Sequence, residues 1–157
     1  MVIMSTIIYY KGAKMSKVKA NHYTETLIYS IDLTLKKLKV ELNQYISSLS
    51  PHITSEQFAV LDTIYGQDNI CQQDVAKILM KDKSNIKRLV EILEEKAYLI
   101  RSVGRKNNRL VNYLTITAEG RNVIDINMPK IKQFLENRLQ NISDEELSLL
   151  KNIIAKI

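Results

Sequence analysis

The stretch "KDKSNIKRLVEILEEKAYLIRSVGRKNNRLVNYLTIT", Lys81–Thr117, decides how the chain is read. Asp82 is a good N-cap, because its carboxylate can accept from a free amide in the first turn. From about Lys83 to Lys96 the spacing predicts a helix. At 100° per residue, Ile86, Leu89, Val90, Leu93 and Ala97 share one side, and Ser84, Lys87, Arg88, Glu91 and Glu95 share the other. Beyond it, "YLIRSV" and "LVNYLTI" are rich in β-branched and aromatic residues and flank the turn-prone "GRKNNR". A two-stranded hairpin with a basic tip is expected there.

The flanks predict more helices. Leu27, Ile31, Leu35, Leu38, Leu42, Ile46 and Leu49 recur at steps of three and four, so one helix should cover about 24–49 and stop before Pro51. "TSEQ" at Thr54–Gln57 has the capping-box spacing and should open a helix running to Tyr65, with Gly66 as its stop. "QQDVAKILM" is a short helix with Val75, Ala76 and Leu79 apolar. Thr117 should cap a further helix carrying Ile124, Met128, Ile131, Leu135 and Leu139 on one face, kinked or split at Pro129. "SDEE" at Ser143–Glu146 is a second capping box, starting a last helix with Leu147, Leu150, Ile154 and Ile157 on its apolar side. Residues 1–20, with Lys11, Lys14, Lys17 and Lys19 and no acid, read as an irregular basic arm.

Composition sets the limits around this pattern. The chain has 157 residues, 45% of them apolar, enough for one domain with a core. Net charge is +6, and of this the segment from Lys81 to Arg109 supplies nine Lys/Arg against four acids. That concentration points to a polyanionic partner. The single cysteine, Cys71, excludes an intrachain disulfide and fits a reducing compartment, so a cytoplasmic location is expected. No apolar run approaches the roughly 20 residues of a membrane span, and the opening "MVIMSTIIYY" has no basic region before it of the kind a secretory signal carries. His22 and His52 stand far apart, with no Cys/His/acid cluster at ligand spacing, no Gly-rich phosphate loop and no activated nucleophile. No metal, cofactor or enzymatic activity is expected.

Helix, short helix, polar-fronted helix and hairpin, in that order, make a winged helix-turn-helix. A helix fits the major groove of B-DNA, where base edges present distinguishable donors and acceptors. Small polar residues at its start (Ser84, Asn85) followed by two cations (Lys87, Arg88) suit base and phosphate contacts, and Arg105, Lys106 and Arg109 on the hairpin would reach the neighbouring minor groove. The helix over 24–49 would be roughly 39 Å long. That is too long to bury against one small head, so its stripe (Leu27, Ile31, Leu35) and that of the last helix (Leu147, Leu150, Ile154) are expected to form a dimer seam. Cys71, near a helix start, permits a redox-sensing thiol, against which stands the plainer reading of a small residue at a mediocre cap position. The dispersed tyrosines would suit a cleft for a small aromatic effector, but none is assigned to it.

The motifs "ITSEQFAVLDTI", "QQDVAKIL", "DKSNIKRLVEILEEKAYLIR" and "ITAEGR", with "ISDEELSLLKNIIAKI" at the end, resemble the MarR (multiple antibiotic resistance regulator) family over roughly residues 24–157. The resemblance implies a mainly α fold with a small hairpin wing: a winged head at 54–117, and dimerisation helices at 24–50 and 118–157. It implies a homodimer reading a pseudo-palindromic duplex, most often a repressor relieved by a small ligand or by oxidation. It also places the DNA-reading positions on Ser84, Asn85, Lys87 and Arg88, with Arg109 as the wing arginine and a match at Arg101. The chain departs from the pattern in three places. Asn107 or Asn108 stands where the wing acid is usual, Met80 and Lys81 stand where the turn before the recognition helix has Gly and an apolar residue, and Ala97 stands where a Gly follows that helix. A competing reading is a winged-helix interaction module whose basic surface meets an acidic protein.

Overall fold

The computed structural model describes residues 22–67 and 69–156. The basic arm at 1–20 and Ile157 lie outside them. After a short turn of 3-10 helix at Tyr23–Glu25, the chain forms helices α1 (Leu27–Leu49), α2 (Ser55–Tyr65), α3 (Gln72–Ile78), α4 (Lys83–Glu95), α5 (Ala118–Leu139) and α6 (Asp144–Ile154). Strands β1 (Ile70–Cys71), β2 (Leu99–Lys106) and β3 (Arg109–Ile116) make an antiparallel sheet in the order β1-β3-β2. The chain is therefore mainly helical with a small sheet. The sheet has one strand more than the expected hairpin, because Ile70 and Cys71 pair with Leu114 and Tyr113.

The chain clusters into two units, residues 1–41 and 42–157. Of the first, the described part is mostly helical, and Leu27, Ile28, Ile31, Leu35 and Leu38 are all exposed on it. Thr26 starts α1: its hydroxyl accepts from the Tyr29 amide at 3.2 Å. The expected start at Thr24 is thus three residues early, the turn before the helix being 3-10.

The second unit holds the core. Ile46, Ile53, Phe58, Leu61, Ile64, Val75, Ile86, Val90, Leu93, Leu99 and Leu114 are buried together, with Ile124 and Ile131 closing it from α5. Both capping boxes form: Thr54 accepts from the Gln57 amide while Gln57 reaches back, and Ser143 and Glu146 do the same for α6. Gly66 ends α2 in a right-handed conformation (φ −80°), so it stops the helix without the left-handed turn for which glycine is favoured. Helix α5 runs unbroken through Pro129, so the expected split does not occur. A proline removes one backbone hydrogen bond, and here Ile124 and Ile131 pack into the core on either side of it. Past Ile131 the apolar face continues outward: Leu135 and Leu139 are exposed, and α6 buries no residue. Tyr45 stacks on Phe134 with ring centres 4.4 Å apart, joining the end of α1 to α5.

Two helices in this unit end on non-glycine residues in the left-handed region. Helix α3 closes with Met80 at φ 49°, and helix α4 closes with Ala97 at φ 59°. In each, the amide of the left-handed residue donates three residues back (Met80 to Lys77, 3.1 Å; Ala97 to Glu94, 2.9 Å). The next amide donates five back (Lys81 to Ala76, Tyr98 to Leu93, both 2.9 Å). This is the Schellman pattern. Ala97 is consequently exposed and not on the buried side of α4, as its spacing alone suggests. Gly120, by contrast, has no substitute: a Cβ there would stand 2.1 Å from the carbonyl oxygen of Tyr98.

Candidate nucleic-acid interface

Helix α4 is built for two surfaces. Ile86, Leu89, Val90 and Leu93 are buried, and Lys83, Ser84, Lys87 and Arg88 are exposed or half-exposed on the other side. Its first turn is fixed by Asp82. One carboxylate oxygen, Oδ1, accepts from the Asn85 amide at 2.7 Å and from the Ser84 hydroxyl at 2.6 Å. Those donors, Ser84 first, hold the Asp82 carboxyl below the usual carboxylate range. The Asn85 side chain is half-buried, and its Oδ1 is enclosed without a partner. Of the four expected reading residues, Ser84, Lys87 and Arg88 therefore stand on the open face, and Asn85 faces partly inward.

The wing is longer and tighter than expected. Its strands stay paired to Lys106↔Arg109, so the loop is only Asn107–Asn108. Both asparagines have positive φ (50° and 59°), the pattern of a type I′ hairpin, which asparagine tolerates better than other non-glycine residues. Arg105, Lys106 and Arg109 thus sit on strand ends and not in a flexible loop. Tyr113 lies against Gly104, where an added Cβ would come within 2.7 Å of the ring, and this close approach straps the middle of the hairpin.

Charge on the head is sharply divided. Arg101 pairs with Glu94 of α4, and Lys106 pairs with Asp74 of α3. Lys81 pairs with Glu56, Lys87 reaches Glu91 at 3.7 Å, and Lys96 binds the His52 carbonyl and Gln57. The Asp74 pair lowers that carboxyl and raises the Lys106 ammonium. Among the described residues of the head, Lys83, Arg88, Arg105 and Arg109 have no acidic partner and donate no side-chain hydrogen bond. The wing asparagine at the acid position leaves Arg109 unpaired, while Asp74 supplies an acid to the wing from a different element. No local signal marks that pairing in the sequence, since the partners are 32 residues apart.

Between helix and wing lies a groove of about 400 Å³. Ser84, Lys83 and Lys87 of α4, Val103 and Leu110 of the wing, and Gln72 of α3 line it. Cys71 is buried at the sheet edge, where it precedes α3 without giving it a side-chain cap. The expected seam residues Leu27, Ile31, Leu35, Leu150 and Ile154 are exposed, and Leu147 is half-buried.

This head is a winged helix-turn-helix. Residues 53–111 match the model of the MarR family. The chain is 28% identical over 105 residues to an uncharacterized HTH-type transcriptional regulator, YdgJ, of Bacillus subtilis (strain 168); the match takes in 67% of this chain and spans 63% of that relative. The wild-type MarR apo structure from E. coli superposes with a TM-score of 0.67 at 25% identity, covering 83% of this chain and 95% of that one. The fold is also that of the S. aureus MepR–DNA complex (TM-score 0.74, 23% identity, 83% and 95% covered). It is shared as well with a mutant E. coli MarR complexed with operator DNA (TM-score 0.75, 24% identity, 87% and 98% covered). No helix among the described residues is long and apolar enough to cross a membrane.

Proposed function

We propose that this protein is a sequence-specific DNA-binding transcriptional regulator that works as a homodimer on a pseudo-palindromic operator, in the cytoplasm and as a repressor. The observation that carries the reading is the division of charge on the head. The front of α4 (Ser84, Lys87, Arg88) stands across one groove from a rigid wing, and the head's unpartnered cations (Lys83, Arg88, Arg105, Arg109) all fall on these two elements. A helix front for the major groove and a rigid cationic hairpin for the adjacent minor groove are what such a complex needs. Two proteins of this fold were solved with DNA, one of them with operator DNA, which supports the same reading.

What a single chain leaves exposed supports dimerisation. Leu27, Ile31 and Leu35, and Leu150 and Ile154, are apolar faces that a second copy would cover. Two heads joined in this way would have to engage half-sites about one helical turn apart, roughly 34 Å. A small effector that altered that spacing would release the duplex, because two half-sites held together bind far more tightly than either alone. The test is a gel-shift titration at two salt concentrations on the duplex that the protein enriches from a random pool. Arg88→Ala should weaken specific binding roughly tenfold or more, by loss of a base contact worth ~1–3 kcal/mol. Arg109→Ala should weaken binding and flatten its salt dependence. Wild-type affinity in both variants refutes the interface.

A further inference from the structure

The first turn of α4 carries information that its role as a helix start does not use. Asp82 Oδ1 receives two donors, the Asn85 amide and the Ser84 hydroxyl. The amide alone would complete the cap. The hydroxyl contact has a further consequence. An ionised carboxylate can only accept, so the one proton available between two oxygens 2.6 Å apart is that of Ser84. A serine hydroxyl ordinarily rotates to donate or accept as its partner requires. This one has given its proton away within the protein, and what it turns outward is lone pairs.

Ser84 is exposed and lines the groove beside the wing, at the leading turn of the helix. In the major groove, adenine N6 and cytosine N4 are donors, whereas guanine O6 and N7 and thymine O4 are acceptors. Accordingly, we propose that Asp82 is a positioning residue for base recognition: by holding the Ser84 proton, it restricts Ser84 to accepting from the exocyclic amino group of an adenine or cytosine. The inference rests on the DNA-reading function proposed above. It adds a residue that touches no base and a rule for which base edge its neighbour takes. A serine in the same place without the carboxylate would tolerate all four bases more evenly.

The test uses the full-length chain and the duplex it enriches from a random pool. Each adenine is replaced in turn by purine, which lacks the 6-amino group, and each cytosine by 2-pyrimidinone, which lacks the 4-amino group. Affinity is measured for wild type, Ser84→Ala and Asp82→Gly. Glycine at an N-cap costs only a few tenths of a kcal/mol, so Asp82→Gly keeps the helix start, which circular dichroism verifies, while it removes the oxygen that takes the Ser84 proton. At one base per half-site, amino deletion should weaken wild type roughly three- to tenfold, the worth of one hydrogen bond. The same deletion should change Ser84→Ala by less than about twofold and Asp82→Gly by an intermediate factor. The analogue that produces the effect says whether the base is adenine or cytosine. If no position separates Ser84→Ala from wild type, Ser84 does not take an amino group. If Asp82→Gly retains the full wild-type penalty, Asp82 is a cap alone; either result overturns the inference while leaving DNA binding intact. A protein that enriches no duplex defeats the DNA reading itself, and this inference with it.

Discussion

Met80 and Ala97 bracket helix α4, and both hold a conformation that costs an L-residue roughly 1–2 kcal/mol. Glycine removes that cost but brings back roughly 0.5–1 kcal/mol of unfolded-chain entropy. Met80→Gly and Ala97→Gly should therefore each stabilise the protein by about 0.5–1 kcal/mol. Little packing is lost on the way, because the Met80 side chain is 93% exposed and Ala97 is exposed as well. The two Schellman turns share no hydrogen bond, so their effects should add. For a chain of this size the double variant should melt roughly 2–8 °C higher, measured by circular dichroism at a fixed protein concentration. Affinity for DNA should stay within about twofold, since neither residue lines the groove. The opposite substitution supplies the control. Gly120→Ala drives a Cβ to 2.1 Å from the Tyr98 carbonyl, which also accepts from the Thr117 amide at 3.1 Å, and must displace backbone. A loss of roughly 1–3 kcal/mol or more is expected there. Two glycine variants that melt at or below the wild-type temperature would refute the assignment of strain to these turns.

Three other outcomes follow from the charges. With four unpartnered cations per head, log Kobs should fall with log salt at a slope of about −7 for a two-headed complex, against about −16 were all nine Lys/Arg of residues 81–109 free. Asp74→Asn releases Lys106, so that slope should steepen by roughly two while stability, the pair being exposed at the surface, changes by under ~1 kcal/mol; an unchanged slope would show that Lys106 lies off the DNA. Asp82 has its folded-state pKa lowered, so its stabilisation is present above the ordinary carboxylate value of about 4 and is lost as pH falls through the folded value. The melting difference between wild type and Asp82→Asn should accordingly vanish in acid, and a difference that persists would place the effect elsewhere.

What is legible in the sequence is what is local. The capping residues Thr54, Asp82, Thr117 and Ser143 each act within three residues, and all four accept from an amide of the first turn they open. The buried side of α4 follows from its period, because four inward residues at that spacing leave little choice of rotation. What is not legible depends on partners far along the chain. Strand β1 is two residues long and exists only because β3 offers an edge more than forty positions away. The wing tip departs from its sequence pattern because strand pairing outlasts the hydrophobic run: Arg105 and Lys106 read as loop by composition, yet the left-handed Asn107–Asn108 turn lets the ladder close directly beside it. Pro129 departs for a related reason, since a local rule about one missing hydrogen bond is outweighed by core packing on both sides.

The same distinction explains why the acids on α4 do not weaken its case as a DNA-facing helix. Glu91, Glu94 and Glu95 follow the cations along the chain, and by sequence alone they would repel phosphate. In the fold, Glu94 is taken by Arg101 of the wing and Glu91 lies near Lys87, one turn before it. The Arg101–Glu94 pair thus lies at the helix's seam with the hairpin and Glu91 pairs only with Lys87, while Arg88 and Lys83 stay unpaired at the front. Asp74 acts in the same manner from α3, tying down Lys106 so that the wing is braced against the head even though its own turn carries no acid. Net charge is a poor guide to such a surface. Of nine basic residues between Lys81 and Arg109, most have a partner inside the protein, and those left over define where a polyanion can be held. Because Arg105 and Arg109 sit on a paired ladder with a two-residue turn, their placement costs little further ordering on binding, which is the advantage of a rigid wing over a flexible basic loop.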